Sequence, residues 1–133
     1  MEPSTREQIE ELVRRYGATH SRAFPALRAS GEVDLVLLRV GARSHPVASM
    51  RWRCLTLLDH LDGDDSLPVF VEALFEDPVP RVRRHALHAL SCERCKESPL
   101  CVDLKPLLER CARTDDNERV RTQARAALVA LGS

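Results

Sequence analysis

Three stretches of this chain share one register, and that repetition constrains the fold more than any other feature. The clearest copy runs Asp77-Pro78-Val79-Pro80-Arg81-Val82-Arg83-Arg84-His85-Ala86-Leu87-His88-Ala89-Leu90. Upstream, His45-Pro46 leads to Met50-Arg51, Cys54, Leu57 and Leu58; downstream, Asp115-Asp116 leads to Val120-Arg121, Ala124, Ala127 and Leu128. In each copy an apolar residue and an arginine are followed, four residues after the apolar one, by a small core residue. Met50 to Val82 is 32 residues and Val82 to Val120 is 38, so the chain reads as an array of helical repeats. The six-residue excess in the second interval carries Cys92, Cys95 and Cys101.

A chain of 133 residues is long enough to bury one domain's core. With 44% apolar and only 4% aromatic residues, Leu, Val and Ala must fill that core, which suits closely packed helices better than a sandwich. The 20 basic and 20 acidic residues balance, which argues against a general nucleic-acid or membrane binder. The basic set is lopsided, with eighteen arginines against Lys96 and Lys105. Arginine grips carboxylate and phosphate bidentately where lysine does not; codon bias in a GC-rich genome gives the same excess. Met1-Glu2-Pro3-Ser4 begins no signal sequence, and the apolar run Val33 to Val40 holds Asp34 and Arg39 and is too short to span a bilayer. The expectation is a soluble, cytoplasmic protein. Five cysteines in such a chain favour metal binding, a redox role or core packing over structural disulfides.

Helix signals place the elements. Ser4 or Thr5 caps a first helix that stops at Gly17, and a second runs from Thr19 to Ala29 with Pro25 shortening it and Gly31 ending it. Glu32 to Arg43 is a strongly apolar third helix, expected to lie buried between neighbours. Pro46 sits in the first turn of a fourth that reaches Leu61, and Ser66 starts a fifth with Pro68 in its first turn. Asp62-Gly63-Asp64-Asp65-Ser66 lacks the alternating carboxylates of a calcium loop and reads as helix termination and capping. A sixth helix ends near Ser91, and Leu104 to Ala112 with Glu118 to Leu131 form a last antiparallel pair.

Over about Glu32 to Leu131 the array resembles the HEAT repeat family. In that family the turn between paired helices carries an Asp, often followed by Pro, and an Arg six residues later after an apolar residue. Asp77 with Arg83 and Asp115 with Arg121 match; the first copy departs, with His45 in place of the Asp that would serve Arg51. The resemblance implies an all-α, right-handed α-solenoid of antiparallel helix pairs, with Asp77–Arg83 and Asp115–Arg121 approaching as ladder contacts. The expected organisation is one domain over 1–133: N-terminal capping helices over 1–31, three repeat pairs over 32–131, and a cysteine-containing loop insertion over 91–101.

The insertion carries the pattern His-x2-His-x3-Cys-x2-Cys-x5-Cys over His85, His88, Cys92, Cys95 and Cys101. A structural zinc ion takes four tetrahedral ligands from thiolate and imidazole. Two thiolates of a Cys-x2-Cys turn converge on one ion, Cys101 returns after Lys96-Glu97-Ser98-Pro99-Leu100, and His88 lies one helical turn before Cys92. His88, Cys92, Cys95 and Cys101 are therefore the candidate metal ligands, with His85 or Cys111 as alternatives for the fourth. An iron–sulfur cluster, another metal, or plain redox-sensitive thiols stay open. Cys54 takes the register of Ala86 and Ala124 and reads as packing, and Cys111 lies on the stripe of Leu104, Leu107 and Leu108. An insertion this poor in apolar residues lacks a core of its own, and a metal would supply its folding energy.

No Ser/His/Asp order, paired-carboxylate pocket or phosphate-binding glycine loop is present. HEAT-like relatives include DNA glycosylases and bilin-attaching lyases, but one Trp and one Tyr give little aromatic surface for a base-stacking cleft. The expected function is a non-enzymatic scaffold or adaptor. In the family the second helices of the pairs line the concave face, so Arg53, Arg81, Arg84, His85, His88 and Gln123 would form a basic groove for an acidic protein or peptide segment. Arg53, Arg81, Arg84 and His85 are the candidate partner contacts. Alternatives are a nucleic-acid backbone binder using the same arginines and a thiol- or metal-sensing regulatory module.

Overall fold

A computed structural model describes residues 1–17, 31–61, 63–92 and 102–132, and the side chains of 61, 63 and 64 are left aside. The expected helix over 19–29, together with Asp62, Cys95 and Cys101, lies outside the described residues. Seven α-helices carry the described chain: α1 (Pro3–Gly17), α2 (Glu32–Ser44), α3 (Ala48–Leu61), α4 (Leu67–Glu76), α5 (Pro80–Ser91), α6 (Leu104–Thr114) and α7 (Glu118–Gly132). A single 3-10 turn, Gly63–Ser66, leads into α4. Among the described residues there is no strand.

Short turns make three pairs, α2/α3, α4/α5 and α6/α7, each packed along its length. Helices joined so tightly must run antiparallel. The second helices then stack on one another, α3 against α5 and α5 against α7, while α1 covers the near side of α2 and α3. Each element follows from its residues. In α5, Pro80 sits in the first turn, where its fixed φ suits a helix and its missing N–H goes unneeded. Val82, Ala86, Leu87, Ala89 and Leu90 then recur at helical spacing and are all buried. The Asp103 carboxylate caps α6 by accepting from the Lys105 N–H at 3.2 Å. Ser66 holds the corresponding place before α4, but its side chain makes no capping bond.

The repeat register is also a register of volumes. Cys54, Ala86 and Ala124 are each fully buried at one position of the second helices. Gly41, Ala73 and Cys111 play that part on the first helices, each accepting the N–H of the residue that ends its helix. At Gly41 a Cβ would lie 2.7 Å from Cys54 Sγ and 2.8 Å from Ile9 Cγ2, so α2 approaches both α1 and α3 more closely than a side chain permits. Two expectations fail here. Helix α3 begins at Ala48, with Pro46 in the preceding turn. And α2 is not buried all round: Leu38, Gly41 and Ala42 are buried, but Val33 is 74% exposed and Val36 and Val40 are exposed as well. Apolar composition does not say on how many sides a helix has neighbours.

The three inter-helix turns are built alike, atom for atom. Their first residues, His45, Asp77 and Asp115, share an extended backbone with φ of −63°, −67° and −66°. The side chain of each accepts the N–H two residues on: Val47 to His45 Nδ1 at 3.0 Å, Val79 to Asp77 Oδ1 at 3.0 Å, Asn117 to Asp115 Oδ1 at 2.9 Å. The carbonyl of each accepts from the arginine six residues later: Arg51 Nη1 at 3.0 Å, Arg83 Nη1 at 2.9 Å, Arg121 Nη1 at 2.8 Å. His45 is thus no break in the repeat. Its Nδ1 lone pair does the work of the aspartate oxygen, which leaves the ring proton on Nε2, 3.0 Å from Glu10 Oε1 on α1.

The ladder itself is offset from the sequence expectation. Within one motif, arginine meets the backbone carbonyl of its own turn; the carboxylate belongs to the arginine of the preceding pair. Arg51 forks Asp77 through Nε–Oδ2 at 2.8 Å and Nη2–Oδ1 at 3.2 Å. Arg83 forks Asp115 at 2.9 and 3.1 Å and adds Asp116 Oδ1 at 2.7 Å. These groups are nearly enclosed, with Arg51, Asp77, Arg83 and Asp115 side chains only 6–11% exposed. Burial opposes the Arg83 charge, but the bond to Asp115 and the fields of Asp115, Asp116 and Asp77 outweigh it and hold the guanidinium protonated.

Candidate binding groove and cysteine flank

A groove of about 1350 Å³ runs along the three second helices. Helix α3 contributes Thr56, Asp59 and His60; α5 contributes Arg81, Arg84, His85 and His88; α7 contributes Glu118, Arg119, Thr122 and Gln123. Helical spacing explains the selection on α5. Positions 82, 83, 86 and 87 turn into the core and ladder, leaving 81, 84, 85 and 88 on the opposite stripe.

Of the expected partner contacts, Arg81, Arg84 and His85 line this groove together. Arg53 does not; it borders a separate pocket of about 660 Å³ with Tyr16, Met50 and Trp52. Trp52 joins the two regions. His85 stacks on its ring with centroids 4.5 Å apart and planes 9° from parallel. The Arg81 guanidinium lies 4.6 Å and that of Arg53 5.3 Å from the same centroid. The repeat register puts His85 on an exposed polar stripe, yet this stacking half-buries it. Burial first, then Arg81, His88 and Arg84, push its pKa below the usual histidine value, so His85 is neutral at pH 7. Trp52 is the residue that sequence reasoning passed over as a lone aromatic; nothing in its local sequence signals a stacking partner on another helix.

Arg84 is held differently. Its Nε donates to Gln123 Oε1 at 3.2 Å, and Gln123 Nε2 returns a bond to the Arg84 carbonyl at 3.0 Å. This exchange joins α5 to α7 across the groove floor. Arg119 is exposed, as is Glu118 beside it, whereas the Asp59 side chain is 3% exposed and lies 3.7 Å from His88 Nε2.

At the far end of α5, Cys92 follows the last turn, its N–H bonded to the His88 carbonyl at 2.9 Å. Cys95 and Cys101 lie outside the described residues. Among the described residues no group of three or more His, Cys, Asp or Glu side chains is arranged to hold a metal ion. Cys54 and Cys111 are core residues, 0% and 1% exposed. Burial pushes their thiols up to about 12 and about 11 respectively, with Asp115 adding to the second, so neither offers a thiolate near neutral pH.

Antiparallel helix pairs stacked in one register, stitched by buried arginine–aspartate rungs and grooved along their second helices, define an α-solenoid of helical repeats. The family model for HEAT repeats matches residues 35–129, most of the chain. The chain belongs to the HEAT repeat family, whose arrays commonly serve as protein-interaction scaffolds. No curated protein and no solved structure matches it. Among the described residues, no helix is long and apolar enough to cross a membrane.

Proposed function

We propose that this protein is a non-enzymatic, cytoplasmic adaptor whose groove along α3, α5 and α7 receives an acidic segment of a partner protein. The observation that carries this is the state of the arginines on α5. Arg83 is enclosed in the ladder, while Arg81 and Arg84 face the groove with their guanidiniums already steered, one by the Trp52 ring and one by Gln123. Side chains held in place before a partner arrives lose less entropy on binding. Arg119 adds a third cation, against which the groove exposes Glu118. Carboxylates spaced along a partner segment complement that arrangement.

The test is capture from lysate of the source organism, with and without nuclease treatment, comparing the wild-type chain with Arg81→Glu/Arg84→Glu. Loss of a protein partner in the variant, with capture surviving moderate salt, supports the groove. Capture that needs nucleic acid and falls steeply with salt makes it a phosphate-backbone site instead. Unchanged capture by the variant moves the interface elsewhere.

We further propose that His88, Cys92, Cys95 and Cys101 hold one structural zinc ion. His88 and Cys92 stand one helical turn apart at the end of α5, and the alternatives for the fourth ligand are engaged otherwise. His85 is stacked on Trp52, and Cys111 is buried with its thiol proton held. Elemental analysis of protein purified without added metal should find about one zinc per chain, with affinity falling as pH drops and the thiolates protonate. Less than about a tenth of an equivalent, with all three loop thiols alkylated in the native state, leaves an ordinary loop.

A further inference from the structure

The groove is cationic along α5, yet one side chain in the middle of that helix is an uncharged acceptor. His85 lies one turn after Arg81 and one turn before His88, with Arg84 beside it, and all four line the groove. Across from them the titratable groups are Asp59 and His60 on α3, and the charged groups on α7 are Glu118 and Arg119.

Two contacts fix the imidazole. One face rests on Trp52, with centroids 4.5 Å apart and planes 9° from parallel. One edge meets Thr56. The Thr56 hydroxyl has a single proton, and it goes to the Trp52 carbonyl at 3.0 Å, a group that can only accept. His85 Nδ1 lies 3.5 Å from the same hydroxyl oxygen. That contact is too long to contribute much strength, but it decides the tautomer. A lone pair on Nδ1 would face a lone pair on the oxygen, so Nδ1 carries the proton and the lone pair of the neutral ring is on Nε2. Among the described residues nothing donates to Nε2, and none buries a side-chain nitrogen or oxygen without a partner, so Nε2 is open to the groove.

We infer that His85 is a specificity-determining residue of the groove. The acidic partner segment sets a neutral donor, a Ser or Thr hydroxyl or an Asn or Gln amide, on Nε2, beside the carboxylates that Arg81 and Arg84 attract. This rests on the reading of the groove as the site of an acidic segment and narrows it to a mixed acidic and polar one. A carboxylate at that place meets a lone pair unless the ring takes up a proton, which burial and the fields of Arg81, His88 and Arg84 oppose. An alkyl group there strips water from Nε2 and returns no donor. Because Trp52 and Thr56 already hold the ring, little freedom is lost when the acceptor is used. A plain polyanion therefore fits less well than a segment with a donor in the right place.

The test presents the full chain, at about pH 8, with a displayed library of short peptides drawn from Asp, Glu, Ser, Asn, Ala and Leu, and then varies the best binder one residue at a time. Selected peptides should be acidic with Ser or Asn at one constant place. Replacing that residue by Ala or Asp should weaken binding to the wild-type chain about tenfold. With His85→Phe, which keeps a ring on Trp52, the Ser, Asn and Ala peptides should bind alike. At about pH 5.5 the wild-type preference for Ser over Asp should shrink, because the protonated ring donates from Nε2. The ratio is the readout, since protonating any other groove histidine strengthens every acidic peptide alike. It needs no variant, so it decides the matter even if His85→Phe does not fold. A selected pool with no constant donor position, a Ser preference that survives in His85→Phe, or a ratio that ignores pH overturns the inference. Failure of the groove reading looks different: no acidic peptide is captured, or Arg81→Glu/Arg84→Glu captures them equally, and both readings then fall.

Discussion

On the ladder side of α5, Arg83 makes four hydrogen bonds to Asp115, Asp116 and the Asp77 carbonyl and is 9% exposed, while on the groove side Arg81 and Arg84 are exposed. One residue type, within four consecutive positions of a single helix, is set to two kinds of work. The difference is enclosure. A guanidinium sealed between two turns stabilises by satisfying carboxylates that would otherwise be buried alone. One that is only steered, by a ring or an amide, contributes little to the fold and retains its capacity for a partner.

The comparison breaks or sharpens under mutation. The largest effect should come from Asp115→Ala, which leaves the enclosed Arg83 without its fork and also removes the acceptor for the Asn117 N–H. Losing one partner of a buried pair together with a capping bond costs about 4 kcal/mol. Chemical denaturation should show the drop as a lower midpoint with an unchanged slope. A loss no larger than a surface change would mean that the ladder is solvated in solution.

A smaller effect is expected at the N-terminal rung. His45→Asp restores the aspartate of the other two turns and keeps the acceptor for Val47, but sets a carboxylate against Glu10 where the imidazole donated. The melting temperature should fall by a few degrees and recover in the double variant with Glu10→Gln. If His45→Asp is stabilising on its own, the Glu10 contact does not form. The Glu10 pKa is itself lowered, by Arg6 first and then His45, so whatever this contact contributes is present above pH ~4.3 and drains away as pH falls below it.

The smallest effect lies in the groove. The pKa of His85 is depressed in the folded chain, so the fold favours the neutral ring. Stability from that preference is complete above pH ~6.5 and is lost as pH falls toward the folded value. The groups facing the ring are Arg81, Arg84 and His88, all of which oppose its protonation. Wild type should therefore lose slightly more melting temperature between pH 7 and pH 5 than His85→Phe, which keeps a ring against Trp52 without a charge to gain. Parallel curves would show that the Trp52–His85 stack is loose.

Much of this was legible in the chain. The recurrence of Met50, Val82 and Val120 marks which helix faces meet, because each core position must hold a residue of similar size. That is why Cys54 is identifiable as packing from Ala86 and Ala124 alone. The ladder partners were not legible: a six-residue spacing links Asp77 to Arg83 on paper, but the carboxylate turns to Arg51, 26 residues earlier. Nor was the role of His45, since a residue-type motif counts aspartates whereas the turn needs only an acceptor at the right reach. Trp52 and His85 meet across two helices, offset by one position of the register, and no local pattern announces that. Helix α2 misled in the other direction, its valines suggesting burial on faces that no described neighbour covers.

The central claim, that enclosure separates the holding arginines from the binding ones, is tested most directly by melting Arg83→Met and Arg84→Met side by side. Both remove one guanidinium from adjacent positions of α5 and keep helix propensity. Arg83→Met should cost about 3 kcal/mol and lower the melting temperature by roughly 10 °C. Arg84→Met should stay within about 0.5 kcal/mol, or roughly 2 °C. Equal losses, or a larger one at Arg84, would contradict the account.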